Sequence, residues 1–374
     1  MQRNRSKRLK GINNTAVFIS LTFQLLFAGL APGQSKQDSL DACVRSRMKQ
    51  LAIPGLQIAV IRHQEIVYLR AFGYANIQDS VAVTPKTRFT INSITKAFTG
   101  IAMMQLAEAG KLDLSSPVSR YLDSLPARWQ AVTIRQLLTH TSGIPNMMDD
   151  DAILISKGGE KASWELVRTL PMDFKPGERF SYNQTNYFLL GKLIDKLSGE
   201  PFAQFIEDRQ LKVSGMALTV YGDAREVIPH SARGYTVYPV RDGYSRGIHN
   251  LFEEFPPALL TAAGLNSTAK EMAQWVIALE QGKLFNDKHS LATLWTPGLL
   301  NNGKTDGFSD LVNGYALGWP AVLRPKHRAM APIGGGRSAV FIYPDDDLAV
   351  IILTNLQGSN PETFIDEIAA YYFR

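Results

Sequence analysis

The sequence predicts an α+β protein. One antiparallel sheet is built from both chain ends and flanked by helices, and a mainly helical region is inserted between them. Three observations carry this: apolar, β-branched runs come in pairs at each end, helical periods dominate the middle, and no repeat at solenoid spacing is visible. The chain has 374 residues, 45% hydrophobic and 20% charged, which suits a large buried core and excludes a disordered or fibrous protein.

Residues 38–51 read as a helix with Leu40, Val44, Met48 and Leu51 on one face, ended by Pro54-Gly55. Residues 56–62 and 66–73 read as a hairpin across His63-Gln64-Glu65. A short strand-like segment, 87–91, leads into a rather apolar helix at 93–109, stopped by Gly110. Residues 187–197 form another helix, stopped by Gly199, and 268–281 a third, with Met272, Trp275, Val276 and Leu279 in one stripe and Thr268 with Glu271 as a capping box. Strands at 338–343 and 348–354 join at Pro344-Asp345-Asp346-Asp347. A last helix opens with Asn360 as N-cap and Pro361 at its first position, and carries Phe364, Ile365, Ile368 and Tyr372.

The amino end reads as an address. Arg3, Arg5, Lys7, Arg8 and Lys10 precede an apolar run at 15–31, and Ala31-Pro32-Gly33 offers small residues before a cut at Gln34. The run is shorter than the roughly 20 apolar residues a membrane span needs, and polar residues interrupt it. A cleaved signal at 1–33 follows, with a periplasmic or secreted mature chain and no stable membrane insertion. Without those five basic residues the formal charge falls from +6 to +1, which disfavours nucleic acid as a partner. One cysteine, Cys43, excludes a disulfide framework, and the six histidines lie at no ligand spacing, so no metal or other cofactor is expected.

The chemistry begins with Ser93-Ile94-Thr95-Lys96. At i and i+3 on a helix the hydroxyl and the amine share a face. A serine needs a nearby base or positive field to act as a nucleophile, and lysine one turn on can supply either. Three such Ser-x-x-Lys pairs occur, where about one is expected by chance. Ser46 is mid-helix and reads as a surface serine; Ser267 reads as a helix-start residue. Ser93 alone sits between a strand-like segment and an apolar helix, where it is either a displayed nucleophile or a plain N-cap.

The segment Phe89-Thr90-Ile91-Asn92-Ser93-Ile94-Thr95-Lys96-Ala97-Phe98-Thr99 resembles the nucleophile segment of the serine β-lactamase and penicillin-binding-protein superfamily. It is most similar to the class C β-lactamase-like branch, which also holds D-amino-acid peptidases and esterases. Four further stretches agree in order: Pro54-Gly55-Leu56-Gln57-Ile58-Ala59-Val60, Leu137-Leu138-Thr139-His140-Thr141-Ser142-Gly143-Ile144-Pro145, Tyr182-Asn183-Gln184-Thr185-Asn186-Tyr187 and Ala263-Gly264-Leu265-Asn266-Ser267-Thr268.

The resemblance implies a β-lactamase/transpeptidase-like fold over 34–374, with an α/β part at 34–92 and 262–374 and a mainly helical part at 93–261. It implies Ser93 as the acylated nucleophile, Lys96 as the group that lowers its pKa, and Tyr182 as the general base, possible as a phenolate only beside positive charge. Two departures stand out. Gln184 replaces the usual asparagine of Tyr-x-Asn, which shifts a substrate amide contact. Pro332-Ile333-Gly334 occupies the third motif, where the family has a cation and then a hydroxyl before the glycine. The backbone can still serve: Gly334 permits close approach, and the Gly335 N–H would complete an oxyanion hole with the Ser93 N–H. Arg337 or His327 could replace the missing cation, although neither aligns with it. His140 belongs to a loop signature and lacks the carboxylate that a histidine triad needs. Residues 221–257 read as loops over the site. The implied activity is an exported serine hydrolase that forms an acyl-enzyme on an ester, an amide or a D-amino-acid peptide bond of a small-molecule substrate. The alternative is a non-catalytic or weakly catalytic protein that binds wall fragments on the same scaffold.

Overall fold

The computed structural model describes residues 35–149, 153–238 and 247–373. The expected signal at 1–33 lies outside the described residues. Among those described, no helix is long and apolar enough to cross a membrane.

Helix α1 (Lys36–Gln50) buries Leu40 and Val44. Strands β1 (Gly55–Arg62) and β2 (Glu65–Asn76) follow, joined at His63 and Gln64, both with positive φ. β1 is central: it pairs antiparallel with β2 on one side and with the strand Leu348–Thr354 on the other, from Leu56 opposite Thr354 to Arg62 opposite Leu348. The two ends of the chain thus meet in one sheet, as the paired runs predict. Leu348–Thr354 pairs in turn with Ser338–Tyr343. Shorter strands extend the sheet, and Ile333–Gly334 pairs back onto Ser338–Tyr343.

The central strands are almost wholly buried because the sheet is covered on both faces. Successive side chains point to opposite faces. Ala59, Ile61, Val340, Ile342, Ile351 and Leu353 accordingly join the larger core, which holds Trp275 and most of the helices. Leu56, Ile58, Val60, Phe341, Val350 and Ile352 join the smaller core under α1 and the C-terminal helix Ile365–Ala369. That is why these runs read as continuous apolar stretches rather than as alternating ones.

Helix α2 (Thr95–Glu108) runs through the larger core with its first ten residues buried. The helix Gln184–Ser198 packs against it and ends at Gly199, which takes the left-handed conformation that glycine adopts without penalty. Ala269–Glu280 lies across β1 and Leu348–Thr354.

Several local expectations are corrected. Thr268 caps its helix by accepting from the Glu271 N–H at 3.1 Å, but Glu271 does not reach back. Its carboxylate accepts instead from the Leu218 N–H at 2.7 Å and the Thr219 hydroxyl at 2.6 Å, so only half of the capping box forms. A full box forms at Thr133 and Gln136. Ser267 ends a strand, bonded to the Thr219 hydroxyl at 2.7 Å, and does not start the helix. Asn360 makes no side-chain cap; it takes φ +43, and a 3₁₀ turn at Pro361–Thr363 precedes the last helix. The stretch 221–257 is not all loop: Gly234–Thr236 and His249–Leu251 are strands.

Candidate active site

The chain reaches Ser93 through the strand Phe89–Thr90, which pairs with Leu265–Ser267. Asn92 then turns it at φ +48, a left-handed value that asparagine tolerates better than most residues. This turn opens a 3₁₀ segment, Asn92–Ile94, that continues into α2. Ser93 therefore sits at a helix start, where unpaired N–H groups give a partial positive field. It is the one residue from 91 to 100 that is not fully buried.

One wall of the site is aromatic. Lys96, one turn on from Ser93, is buried, and its Nζ lies 3.4 Å from Ser93 Oγ and donates to the Ala262 carbonyl at 3.1 Å. The amine sits over two rings, 4.6 Å from the centre of Tyr182 and 5.2 Å from that of Tyr187. The Tyr182 hydroxyl lies next to that of Ser93. Tyr182 is held from behind by Asn183, whose side chain caps the helix Gln184–Ser198 and donates to the Ile144 carbonyl at 2.6 Å. Its N–H donates to His140 Nδ1 at 3.1 Å. The His140 ring packs 4.5 Å from Tyr182, 5.0 Å from Tyr187 and 4.8 Å from Tyr315. An Nδ1 that accepts a backbone N–H is unprotonated, so His140 is a neutral support for Tyr182.

Burial decides the charge states on this wall. Desolvation holds Lys96 well below the usual lysine value, because its bonded partners are a hydroxyl and a carbonyl rather than an anion. Desolvation pushes the Tyr182 phenol up, and the neighbouring Ser93 hydroxyl opposes this only in part. Burial, then the nearby Lys96, holds His140 well below its usual range. Both shifts favour the uncharged forms of the amine and the phenol that flank one serine oxygen, the first suited to take a proton and the second to give one.

The other wall is polar and close-packed. A Cβ on Gly334 would stand 2.0 Å from the Ile91 carbonyl oxygen, and one on Gly335 2.2 Å from Asn92 Nδ2. Gly335 also has φ +57, so both glycines are required for this approach. Among the described residues, neither the Ser93 nor the Gly335 N–H donates to a protein acceptor. Arg337 follows the glycines. Its Nη2 donates to Asn92 Oδ1 at 3.0 Å and forms an ion pair with Glu253, while Asn92 Nδ2 donates to Glu253 Oε1 at 3.1 Å. Burial lowers Arg337 to about 10, still a cation near neutrality.

Of the residues named from sequence, Ser93, Lys96 and Tyr182 meet, and Gly334 and Gly335 back the Ser93 turn. Gln184 opens the helix that follows Tyr182; its backbone N–H donates to Asn146 Oδ1 at 3.0 Å, and its side-chain Oε1 is buried with no partner among the described residues. His327 is excluded as a replacement cation, since it pairs with Asp346 at 2.9 Å and stacks on Phe373. Sequence reasoning missed Glu253; it lies in the stretch read as loops, and no spacing signal links it to Asn92. A cavity of about 770 Å³ lined by Pro201, Glu207, Lys212 and Tyr221 contains none of these groups.

A family model described as Beta-lactamase matches residues 40–371. Protein flp of Staphylococcus aureus (strain MW2) is 24% identical over 339 residues, covering 89% of this chain and 66% of its own length. The chain thus spans just under two thirds of that relative. Among solved structures, the octameric penicillin-binding protein homologue from Pyrococcus abyssi matches with a TM-score of 0.72 at 26% identity, over 89% of this chain and 76% of that one. The D-amino acid amidase from Ochrobactrum anthropi SV3, complexed with L-phenylalanine amide, matches with a TM-score of 0.73 at 20% identity, over 89% and 98%, and shows the shared fold.

Proposed function

This chain belongs to the beta-lactamase family, and on that premise we propose that it is an exported serine hydrolase working through an acyl-enzyme on an ester, an amide or a small D-amino-acid peptide. The observation that carries this is the single oxygen, Ser93 Oγ, 3.4 Å from a buried amine and next to the Tyr182 hydroxyl. The export part rests on the basic and apolar pattern of residues 1–33.

The chemistry follows from the charge states. Ser93 Oγ attacks the substrate carbonyl and its proton passes to Lys96 Nζ. The oxyanion accepts from the Ser93 and Gly335 N–H groups. As the tetrahedral intermediate collapses, the Tyr182 hydroxyl gives its proton to the leaving group, and Lys96 returns a proton to Tyr182. Water then attacks the acyl ester and gives a proton to Lys96, Ser93 departs with the Tyr182 proton as the acid is released, and Lys96 passes its proton back to Tyr182. We assign the base to Lys96 rather than Tyr182, because burial lowers the pKa of the amine and raises that of the phenol. Pro332 and Ile333 supply neither cation nor hydroxyl, which favours ester and peptide substrates over carboxylated β-lactams.

The test is the intact mass of the mature protein after brief exposure to a fluorophosphonate and, separately, to a penicillin, with Ser93→Ala alongside. A phosphonyl adduct that Ser93→Ala abolishes supports the reading. Folded protein that takes up neither reagent would move the assignment to the wall-fragment binding protein.

A further inference from the structure

Asn92, Glu253 and Arg337 close a ring of polar contacts beside the nucleophile that no step of the acyl-transfer scheme uses. Each bonds the other two. They come from three places: the nucleophile turn, the segment after the strand His249–Leu251, and the entry to the strand Ser338–Tyr343. Arg337 is a rigid post. Its N–H donates to the Gly334 carbonyl at 3.0 Å, and its own carbonyl accepts from the Thr354 N–H at 2.9 Å and hydroxyl at 3.0 Å, which ties it to the central strands. Its side chain is only 3% exposed, so its charge must be compensated within the protein. Glu253 does that.

The ring bears on catalysis through Asn92. This residue holds the left-handed turn before Ser93, so its backbone sets the direction of the Ser93 N–H. Its side-chain amide is the surface on which Gly335 rests. Both donors proposed for the oxyanion therefore depend on one asparagine, and that asparagine is held by one anion and one cation. The same pairing uses up the Arg337 cation beside the nucleophile turn.

We propose that Glu253 and Arg337 are positioning residues that fix Asn92, and with it the Ser93 and Gly335 N–H groups, and that Glu253, by compensating Arg337, makes the site select uncharged acyl donors over carboxylate-bearing ones. This rests on the acyl-enzyme reading above. An unpaired guanidinium here would attract an anionic substrate, and a paired one does not.

The test uses the mature chain, two nitrophenyl esters that differ only by a carboxylate in the acyl group, and fluorophosphonate labelling of Ser93. Arg337→Lys keeps the charge but loses the planar fork. With the uncharged ester its kcat falls about 10- to 100-fold while KM stays within about twofold, because the donors act on the transition state. Glu253→Gln raises the ratio of kcat/KM for the carboxylated over the uncharged ester about tenfold. The double variant Glu253→Gln/Arg337→Met removes both charges together, which protects the fold; it keeps the low kcat but returns the ratio to the wild-type value. Folded variants with wild-type kcat and an unchanged ratio would overturn the proposal alone. A wild-type protein that neither labels at Ser93 nor cleaves either ester would overturn the acyl-enzyme reading and this proposal with it.

Discussion

The two walls that flank Ser93 solve the same problem in opposite ways. Both bury groups that carry charge in water. On the aromatic wall Lys96 and His140 have rings, a hydroxyl, a carbonyl and a backbone N–H for company, and desolvation shifts both towards their neutral forms. On the polar wall Arg337 has a carboxylate and an amide, and it stays a cation. The difference lies in the higher intrinsic pKa of the guanidinium and in its anionic partner rather than in the depth of burial. The unpaired wall yields groups that can exchange protons, and the paired wall yields a frame that holds backbone donors still.

Removing the base from the aromatic wall breaks this comparison most sharply. Lys96→Met takes turnover down about 10²- to 10⁴-fold, the usual worth of a general base, while the melting temperature holds or rises because an apolar side chain replaces a buried amine. Steady-state kinetics beside thermal melting checks both halves. An unfolded variant would show the amine to be structural.

The acid limb of the pH–rate profile sharpens it further. The protonated amine cannot accept the Ser93 proton, so kcat/KM is lost as pH falls through the lowered pKa of Lys96 and is full above it. The limb should lie well below the ordinary lysine range and vanish in the residual activity of Lys96→Met.

On the polar wall, Gly335→Ala drives a Cβ into Asn92 at a left-handed φ. We expect a kcat loss of about 10- to 100-fold, with stability lowered by about 1–3 kcal/mol. Denaturant titration and ester hydrolysis measure the two, and wild-type values in both would remove Gly335 from the site. The smallest effect belongs to His140→Phe. It keeps a ring against Tyr182 but leaves the buried Asn183 N–H without its acceptor, at a cost of about 1–3 kcal/mol. Chemical denaturation reads it directly, and an unchanged midpoint would show that the histidine only fills space.

Much of this was legible in the chain. The pairs of apolar runs foretold strands at both ends, and their bounds at Ser338–Tyr343 and Leu348–Thr354 match the structure. Gly199 marked a helix end correctly because a left-handed residue there is a local requirement. Local rules misled where tertiary contacts won: the Glu271 side chain left the box for Leu218 and Thr219, and Asn360 turned left-handed, its N–H donating to the Gly336 carbonyl, instead of capping. The convergence of Ser93, Lys96 and Tyr182 followed the ordered motifs. The charge states that choose between Lys96 and Tyr182 did not, since they depend on what surrounds each group.

By itself the sequence determined which segments are strands and helices and where a serine and a lysine would share a face. Period and spacing are properties of neighbours along the chain. Only the tertiary structure decided that Asn92 meets Glu253 across 161 residues and Arg337 across 245. A buried charge takes whichever opposite charge the packed fold brings to it, and no local pattern names that partner.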